Sequence, residues 1–448
     1  MKIKALSRST ASISAPGSDV SRLPRNLDPA AHPFAQAREY TRALNATKME
    51  RMFAAPFIGQ LGYGHEDGVY SLCGDPKSLE RLASGAGDGT VKVWDTGSRE
   101  EVFKASAHSN IVKGLTWTHD RRLLTAAADK TIKLFDPYNA QNTRSAPTAT
   151  WLGQGAFTSL SMHRTSSTFA ASSSVISLYD LNRPSSSKPT QTLHWPTSVD
   201  TITTCCFNQT ETSILASAGN DRSLVFYDLR TSSPLHKTIL TLSANSLAWN
   251  PMEAFNIAVA SEDHNIYLFD MRNLSRALNV YRDHVAAVMS VAWSPTGQEL
   301  ISGSYDRSIR LWDRSKGHSR DIYHTKRMQR VFSVLWSPDN SYVYSGSDDG
   351  NVRVWRAKAS ARQGVKSARE RQKLEYDEKL KERFGHMPEI KRIARHRHLP
   401  QQVKKAGEIK TEELKAIKRR EENERRHSKK GKTRRRAERE KMVLNTEE

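Results

Sequence analysis

Between residues 53 and 356 short apolar stretches alternate with turn residues, and the stretches close on a recurring pair, an aromatic followed by Asp. The pairs are Trp94-Asp95, Phe135-Asp136, Tyr179-Asp180, Tyr227-Asp228, Phe269-Asp270 and Trp312-Asp313, and a seventh stretch ends at Trp355-Arg356. The aromatics stand 41, 44, 48, 42, 43 and 43 residues apart. That period predicts four-stranded blades that bury their faces only against one another around a central axis. Seven copies predict a closed all-β ring over 53–356, a seven-bladed β-propeller. After Trp355 the chain offers no outer strand for the last blade, whereas residues 53–63 supply a spare one. The N-terminal segment is therefore expected to complete blade seven and remove an exposed edge.

Four positions keep fixed offsets inside the better blades: a His near the start, a small hydroxyl on the second strand, an Asp four residues later, and an aromatic six residues after the Asp. Blade one has His65, Ser84, Asp88 and Trp94; blade six has His284, Ser302, Asp306 and Trp312; blade seven has His324, Ser345, Asp349 and Trp355. Blade two ends on Phe135 after His108, Thr125 and Asp129, and blade four has Ser217, Asp221 and Tyr227 after a His194 whose register stays open. These blades resemble WD repeats. The resemblance implies that the Asp holds the His, the His bonds the hydroxyl and the hydroxyl accepts the indole N–H, a buried network that stabilises only when each member is satisfied. His, Ser and Asp are also the members of a hydrolytic triad, but an enzyme needs one triad and a repeat needs one brace per blade. No catalytic residue and no enzyme activity is expected. Blade three has Ser173 or Ser174 where the Asp belongs, and blade five keeps Asp263 but has Val259 at the hydroxyl position, so both are expected to be less tightly braced.

Charge separates the ring from its flanks. The 448 residues carry a formal net charge of +21, and the last 92 hold 30 Lys or Arg against 16 Asp or Glu, which is +14 of that total. Such a balance favours an acidic partner and says nothing of the fold. The three cysteines, Cys73, Cys205 and Cys206, suggest neither a disulfide framework nor a metal site. No signal-peptide core and no run of eighteen apolar residues occurs, so a soluble intracellular chain without a membrane partner or cofactor is expected.

Three regions follow: an N-terminal arm and short helix over 1–52, the propeller over 53–356, and a basic helical C-terminal domain over 357–448. Residues 1–37 are too proline-rich and polar to fold alone, which predicts an extended arm. Residues 38–53 predict a helix with Tyr40, Leu44 and Met52 on an apolar side, resting on the ring. In the tail, Ser367 and Glu370 form a capping box, after which Tyr376, Leu380 and Phe384 fall four residues apart before Gly385. Pro388 opens a second helix with Ile390 and Ile393, which Pro400 ends. Residues 418–441 have Ala437 as their one apolar side chain, which leaves disorder, a solvated helix or a helix lying on a polyanion. The basic residues Lys391, Arg392, Arg395, His396, Arg397, His398, Lys404, Lys405, Arg419, Arg420, Arg425 and Arg426 are candidates for RNA phosphates, with salt-dependent affinity and no base specificity. Lys429, Lys430, Lys432, Arg434, Arg435 and Arg436 match a nuclear localisation signal.

The run Leu374-Glu-Tyr-Asp-Glu-Lys-Leu-Lys-Glu-Arg-Phe384 with Pro388-Glu-Ile-Lys-Arg-Ile-Ala-Arg-His-Arg-His-Leu-Pro400 resembles the C-terminal domain of the suppressor-of-fibrillarin family of WD-repeat ribosome-biogenesis factors. At the other end Pro24-Arg-Asn-Leu-Asp-Pro, His32-Pro-Phe and Arg42-Ala-Leu-Asn-Ala-Thr-Lys-Met-Glu-Arg51 resemble the same family. The resemblance implies a nucleolar scaffold of the small-subunit processome. Its expected partners are pre-rRNA, a box C/D guide snoRNP and other processome proteins, and no homo-oligomer is expected. Some relatives resemble substrate receptors of cullin-RING ubiquitin ligases, marked by an aromatic-Asp-x-Arg in adjacent blades. Two such runs occur here, Tyr227-Asp-Leu-Arg230 and Phe269-Asp-Met-Arg272, which makes Arg230 and Arg272 candidates for a ligase adaptor.

Overall fold

The computed structural model describes residues 29–138, 146–185, 188–196, 200–361, 364–429 and 436–447. The chain forms two compact units, one of residues 57–357 with 399–448, the other of residues 1–56 with 358–398. Of the stretch expected as one C-terminal region over 357–448, residues 358–398 cluster with the N-terminal helix and residues 399–448 with the ring strands.

The ring unit holds seven antiparallel sheets, six of which begin with four strands in chain order, blade one being Val69–Gly74, Arg81–Ala86, Thr90–Asp95 and Glu101–Ser106, while the seventh has three in chain order. The first strand of every blade lies beside the first strands of both neighbouring blades, and blade seven meets blade one. These are the inner strands. Second and third strands are covered on both faces, so stretches such as Leu123–Ala127 are buried throughout; outer strands such as Glu101–Ser106 are half exposed. The aromatic at or one residue before the end of each third strand is the large filler between blades. Trp94, Trp312 and Trp355 are fully buried, and Phe135, Phe269 and Tyr227 nearly so.

The ring closes as expected. Phe57–Gln60 pairs antiparallel with Val352–Arg356, Phe57 opposite Trp355, and becomes the outer strand of blade seven. On the inner side the Ser333 hydroxyl of blade seven donates to the Val69 carbonyl of blade one at 3.5 Å. Related bonds join other neighbours: Ser71 to the Val112 carbonyl at 3.0 Å, Thr158 to Ile202 at 2.6 Å, Thr203 to Ala244 at 2.7 Å and Asn245 to Val288 at 3.1 Å. Such close packing sets a size limit at the residue after the braced serine. A Cβ on Gly85 would stand 2.7 Å from a Val112 methyl, and one on Gly346 would stand 2.7 Å from a Val69 methyl.

Blade four carries a fifth strand. Val443–Glu447, near the C-terminus, pairs antiparallel with the outer strand Ser233–Leu240. Ahead of it runs a helix of 27 residues, Gln401–His427. Pro400, expected to end the preceding helix, stands at the start of this one instead, where its missing N–H costs no helical bond.

The other unit packs three helices: α1 (Ala35–Met52), α2 (Ala368–Arg383) and α3 (Pro388–Arg395), the helix Gln401–His427 of the ring unit being α4. Ser367 caps α2 as expected, accepting from the Glu370 N–H at 3.2 Å. Ala43, Leu380 and Ile390 form the centre of the cluster, and Tyr40, Leu44, Tyr376, Phe384 and Met387 pack around them. The apolar side of α1, expected against the ring, is covered by α2 and α3. Met52, placed on that side by periodicity, is 71% exposed because it lies in the final turn beyond the reach of the cluster. Polar ties complete the unit: Arg383 to the buried Glu39 at 2.8 Å, Lys381 to Glu50 at 2.9 Å, Tyr40 to Glu389 at 3.1 Å and Arg51 to the Ala394 carbonyl at 2.7 Å. Most of the arm expected over 1–37 lies outside the described residues.

Candidate functional site

Blade six shows the complete brace. The Trp312 indole N–H donates to the Ser302 hydroxyl at 2.8 Å, Ser302 Oγ lies 2.7 Å from His284 Nε2, and His284 Nδ1 lies 2.8 Å from Asp306. A carboxylate beside Nδ1 assigns the proton to that nitrogen, so the relay runs indole to hydroxyl, hydroxyl to Nε2, and Nδ1–H to carboxylate. Burial holds His284 below its ordinary pKa against the pull of Asp306; burial also pushes the Asp306 carboxyl up, but His284, Arg310 and Ser308 together bring it below the usual carboxylate range.

The other blades vary this theme. In blade one Trp94 donates to Ser84 at 2.7 Å and Ser84 meets His65 at 2.6 Å, but His65 Nδ1 faces the Thr90 hydroxyl at 3.1 Å, and it is Thr90 that bonds Asp88 at 2.7 Å. The expected direct His–Asp contact is therefore relayed through a threonine. Burial, aided by Lys92, lowers His65 to about 4. Blade two brings His108 to Asp129 at 2.9 Å and to Thr125 at 2.8 Å, with Phe135 unable to donate. In blade seven Trp355 bonds Ser345 at 2.8 Å, whereas Asp349 is engaged by the forked guanidinium of Arg353 and by Ser347. Blade four keeps Ser217 beside the Tyr227 hydroxyl, while burial raises that hydroxyl to about 12; Asp221 bonds Ser223, and His194 is exposed. Blade three substitutes a Thr158–Ser172 hydroxyl pair at 2.8 Å, and blade five ties Asp263 to the Tyr267 hydroxyl. Ser84, Ser302 and Ser345 are fully buried, as is His284, so no solute reaches them.

The basic candidates fall into both units. Lys391, Arg392, Arg395, His396 and His398 lie exposed on and after α3, while Arg397 turns back to the carbonyls of Ala394 and His396. Along α4, Lys404, Lys405, Arg419 and Arg420 are exposed, Arg426 pairs with Glu422 at 2.7 Å, and Arg425 bonds the Glu421 carbonyl at 3.3 Å. Residues 418–427 form the last turns of a helix, which removes disorder from the three alternatives. Lys429 and Arg436 flank the import-signal run, whose Lys430, Lys432, Arg434 and Arg435 lie outside the described residues.

Arg230 and Arg272 both follow the third strand of their blades and are mostly exposed, yet they differ in engagement. Arg272 forks onto Asp270 at 3.1 and 2.9 Å, its guanidinium 4.2 Å from the Phe255 ring centroid. The Arg230 guanidinium approaches Glu211 at 3.7 Å, while its backbone N–H donates to Asp228 at 2.9 Å.

Among the described residues no cluster of His, Cys, Asp or Glu has the makings of a metal site. The three cysteines are unpaired, and burial raises Cys73 and Cys206 to about 11 and Cys205 to about 12, which suits inert core thiols. No described helix is long and apolar enough to cross a membrane.

Comparison with known proteins decides the family. Residues 357–443 match the Sof1-like domain, and residues 58–95, 99–136, 275–313 and 317–356 match the WD domain, G-beta repeat. Protein sof1 of Schizosaccharomyces pombe is 53% identical over 444 residues, covering 99% of each chain. The chain belongs to the Sof1 family of WD-repeat proteins. Protein SOF1 of Saccharomyces cerevisiae is 52% identical, covering 95% of this chain and 91% of that one, and the DDB1- and CUL4-associated factor 13 of Xenopus laevis is 45% identical over 92% of each. The repeats matched in this Sof1-family chain are blades one, two, six and seven, those whose sequence supplies His, hydroxyl and Asp together.

Two features of the Sof1-family ring escaped sequence reasoning. Tyr70 and Phe332 stack at 4.5 Å, with Tyr305 edge-on to Phe332 at 5.8 Å and Arg330 over Tyr305 at 5.3 Å. Tyr70 and Phe332 sit where the inner-strand register shifts by one residue, and a bulge has no periodic signature. The second is Lys410 of α4, whose Nζ donates to the His284 carbonyl at 2.6 Å and whose pKa is lowered by burial.

Proposed function

We propose that this protein is a non-enzymatic scaffold of an early small-subunit pre-ribosomal particle, acting in the nucleolus. The ring docks on proteins, and the basic faces of α3 and α4 take up phosphates of pre-rRNA and of a box C/D guide snoRNA. The observation that carries this reading is the Sof1-like domain itself, which spans exposed Lys391, Arg392, Arg395, Lys404, Lys405, Arg419 and Arg420. Helical display of cations without a pocket suits backbone binding, which positions a partner without reading its bases. Braces with buried serines and histidines support structure over catalysis.

A second reading has its own support. Relatives bear the name DDB1- and CUL4-associated factor 13, and Arg230 and Arg272 stand exposed at matching places on adjacent blades. Receptor and scaffold roles use different residues, which makes them separable.

Crosslinking in cells followed by sequencing of the bound RNA distinguishes them. Changing those seven Lys and Arg residues to Gln should remove crosslinks to pre-rRNA and flatten the salt dependence of RNA binding, by roughly 0.7–0.9 in log–log slope for each phosphate that is no longer neutralised. Arg230→Ala with Arg272→Ala should leave RNA binding intact and abolish only adaptor binding. Unchanged RNA crosslinks in the Gln variant would refute the scaffold reading as stated.

A further inference from the structure

Each of the other six blades is complete with four strands, and blade four is complete with Ile202–Phe207, Ile214–Gly219, Ser223–Asp228 and Ser233–Leu240. Val443–Glu447 is therefore supernumerary. Its register sets Glu447 opposite Lys237, Thr446 opposite Thr238, Asn445 opposite Ile239 and Val443 opposite Leu240. Two more backbone bonds lie ahead of the ladder: the Thr241 N–H donates to the Met442 carbonyl at 3.0 Å, and the Ala277 N–H of blade five donates to the Arg439 carbonyl at 2.9 Å. Between them Met442 is 3% exposed, inside the apolar cluster that joins blades four and five through Phe226, Leu240, Leu274 and Ala277. Leu444, two residues on, points away and is 58% exposed.

Edge backbone bonds with one apolar anchor and an ionic rim are the means by which sheets capture extended peptides. The rim is present. Glu438 pairs with Arg282 and lies 3.8 Å from Lys418, and Lys441 reaches both oxygens of Glu421 at 2.5 and 2.7 Å. Because Lys418 and Glu421 belong to α4, the captured segment also fixes the far end of that helix. Its nearer half is held by Lys410 on the His284 carbonyl at 2.6 Å.

We propose that the outer edge of blade four, with the Met442 pocket between blades four and five, is a peptide-binding site, and that residues 436–447 occupy it as a releasable intramolecular ligand. The site accepts an extended segment whose apolar anchor precedes a largely polar strand. While it is filled, α4 lies fastened to the ring unit in both halves; when it empties, the C-terminal half of α4 is free to swing.

The test uses the full chain carrying Met442→Asp and a fluorescent peptide of residues 436–447. The peptide should bind the variant saturably and the unsubstituted chain at least ~10-fold more weakly, since the tethered segment competes at high effective concentration. The same peptide with Met442→Asp should bind the variant chain about 30-fold more weakly, the loss expected for a deleted buried methionine. Hydrogen exchange of the variant should show lower protection in Ser233–Leu240 and Val443–Glu447, with the three inner strands of blade four intact. Binding to neither chain, equal binding to both, or loss of protection through all of blade four would overturn the proposal.

Discussion

Ser302→Ala tests whether the blade braces hold the ring. The hydroxyl serves two buried partners, accepting from the Trp312 indole at 2.8 Å and donating to His284 Nε2 at 2.7 Å, and its removal leaves both without a substitute in a fully buried site. An orphaned buried polar group costs about 1–3 kcal/mol, so the expected loss is about 4 kcal/mol for the pair. Ser217→Ala in blade four is the internal control. There, among the described residues, the hydroxyl sits beside the Tyr227 hydroxyl and His194 is exposed, so one orphaned group and about 1–2 kcal/mol are expected. Ser302→Thr keeps the hydroxyl, as Thr125 does in blade two, and should recover most of the loss. The assay is native-state hydrogen exchange across Glu299–Ser304 and Ile309–Asp313, which reports the opening free energy of blade six directly. If Ser302→Ala costs no more than Ser217→Ala, the relay is not what stabilises the blade.

Acid should weaken the ring before carboxylates titrate. His65 is held at about 4 against an ordinary 6.5, so the folded state binds fewer protons than the unfolded one between those values; stability is full above pH 6.5 and falls by about 3 kcal/mol on descending to pH 4. His108 and His284 are shifted in the same direction and add to the fall. Urea unfolding at pH 7.5, 6, 5 and 4.5 measures it, and a flat profile would contradict the neutral-histidine assignment. Gly346→Ala should destabilise by about 1–3 kcal/mol because its Cβ would stand 2.5 Å from Ser333 Oγ and 2.7 Å from a Val69 methyl at the ring closure. Gly155→Ala, whose Cβ would meet nothing nearer than Ser173 Cβ at 3.6 Å, should stay within about 0.5 kcal/mol by the same unfolding assay.

The ring was legible in the chain because a repeat writes the same local rule seven times. The spacing of the terminal aromatics set the blade count, and the missing outer strand after Trp355 set the partner of Phe57–Gln60, since an unpaired edge and a spare strand must meet. The helix cap at Ser367 was equally local, needing only a hydroxyl three residues before a free N–H. Within the braces, residue types were legible but wiring was not. Thr90 interposed between His65 and Asp88, and Arg353 on Asp349, depend on which short side chain reaches which turn, a matter of ångströms that offsets along a sequence do not encode.

The fate of the flanks was settled only in three dimensions. Residues 1–52 and 357–448 read as separate regions, yet α1 buries Ala43 against Leu380 and Ile390, neighbours more than 330 residues apart in the chain that no local pattern announces. Near the C-terminus a basic, polar stretch conceals a strand, because Val443–Glu447 has too little apolar character to declare itself and takes its conformation from the edge it pairs with. The repeating element follows from residue order, since its strands carry their own hydrophobic signal. Which distant segment completes an element that cannot bury its surface alone follows from the folded chain, because that choice rests on surfaces that exist only after the ring and the helices have formed.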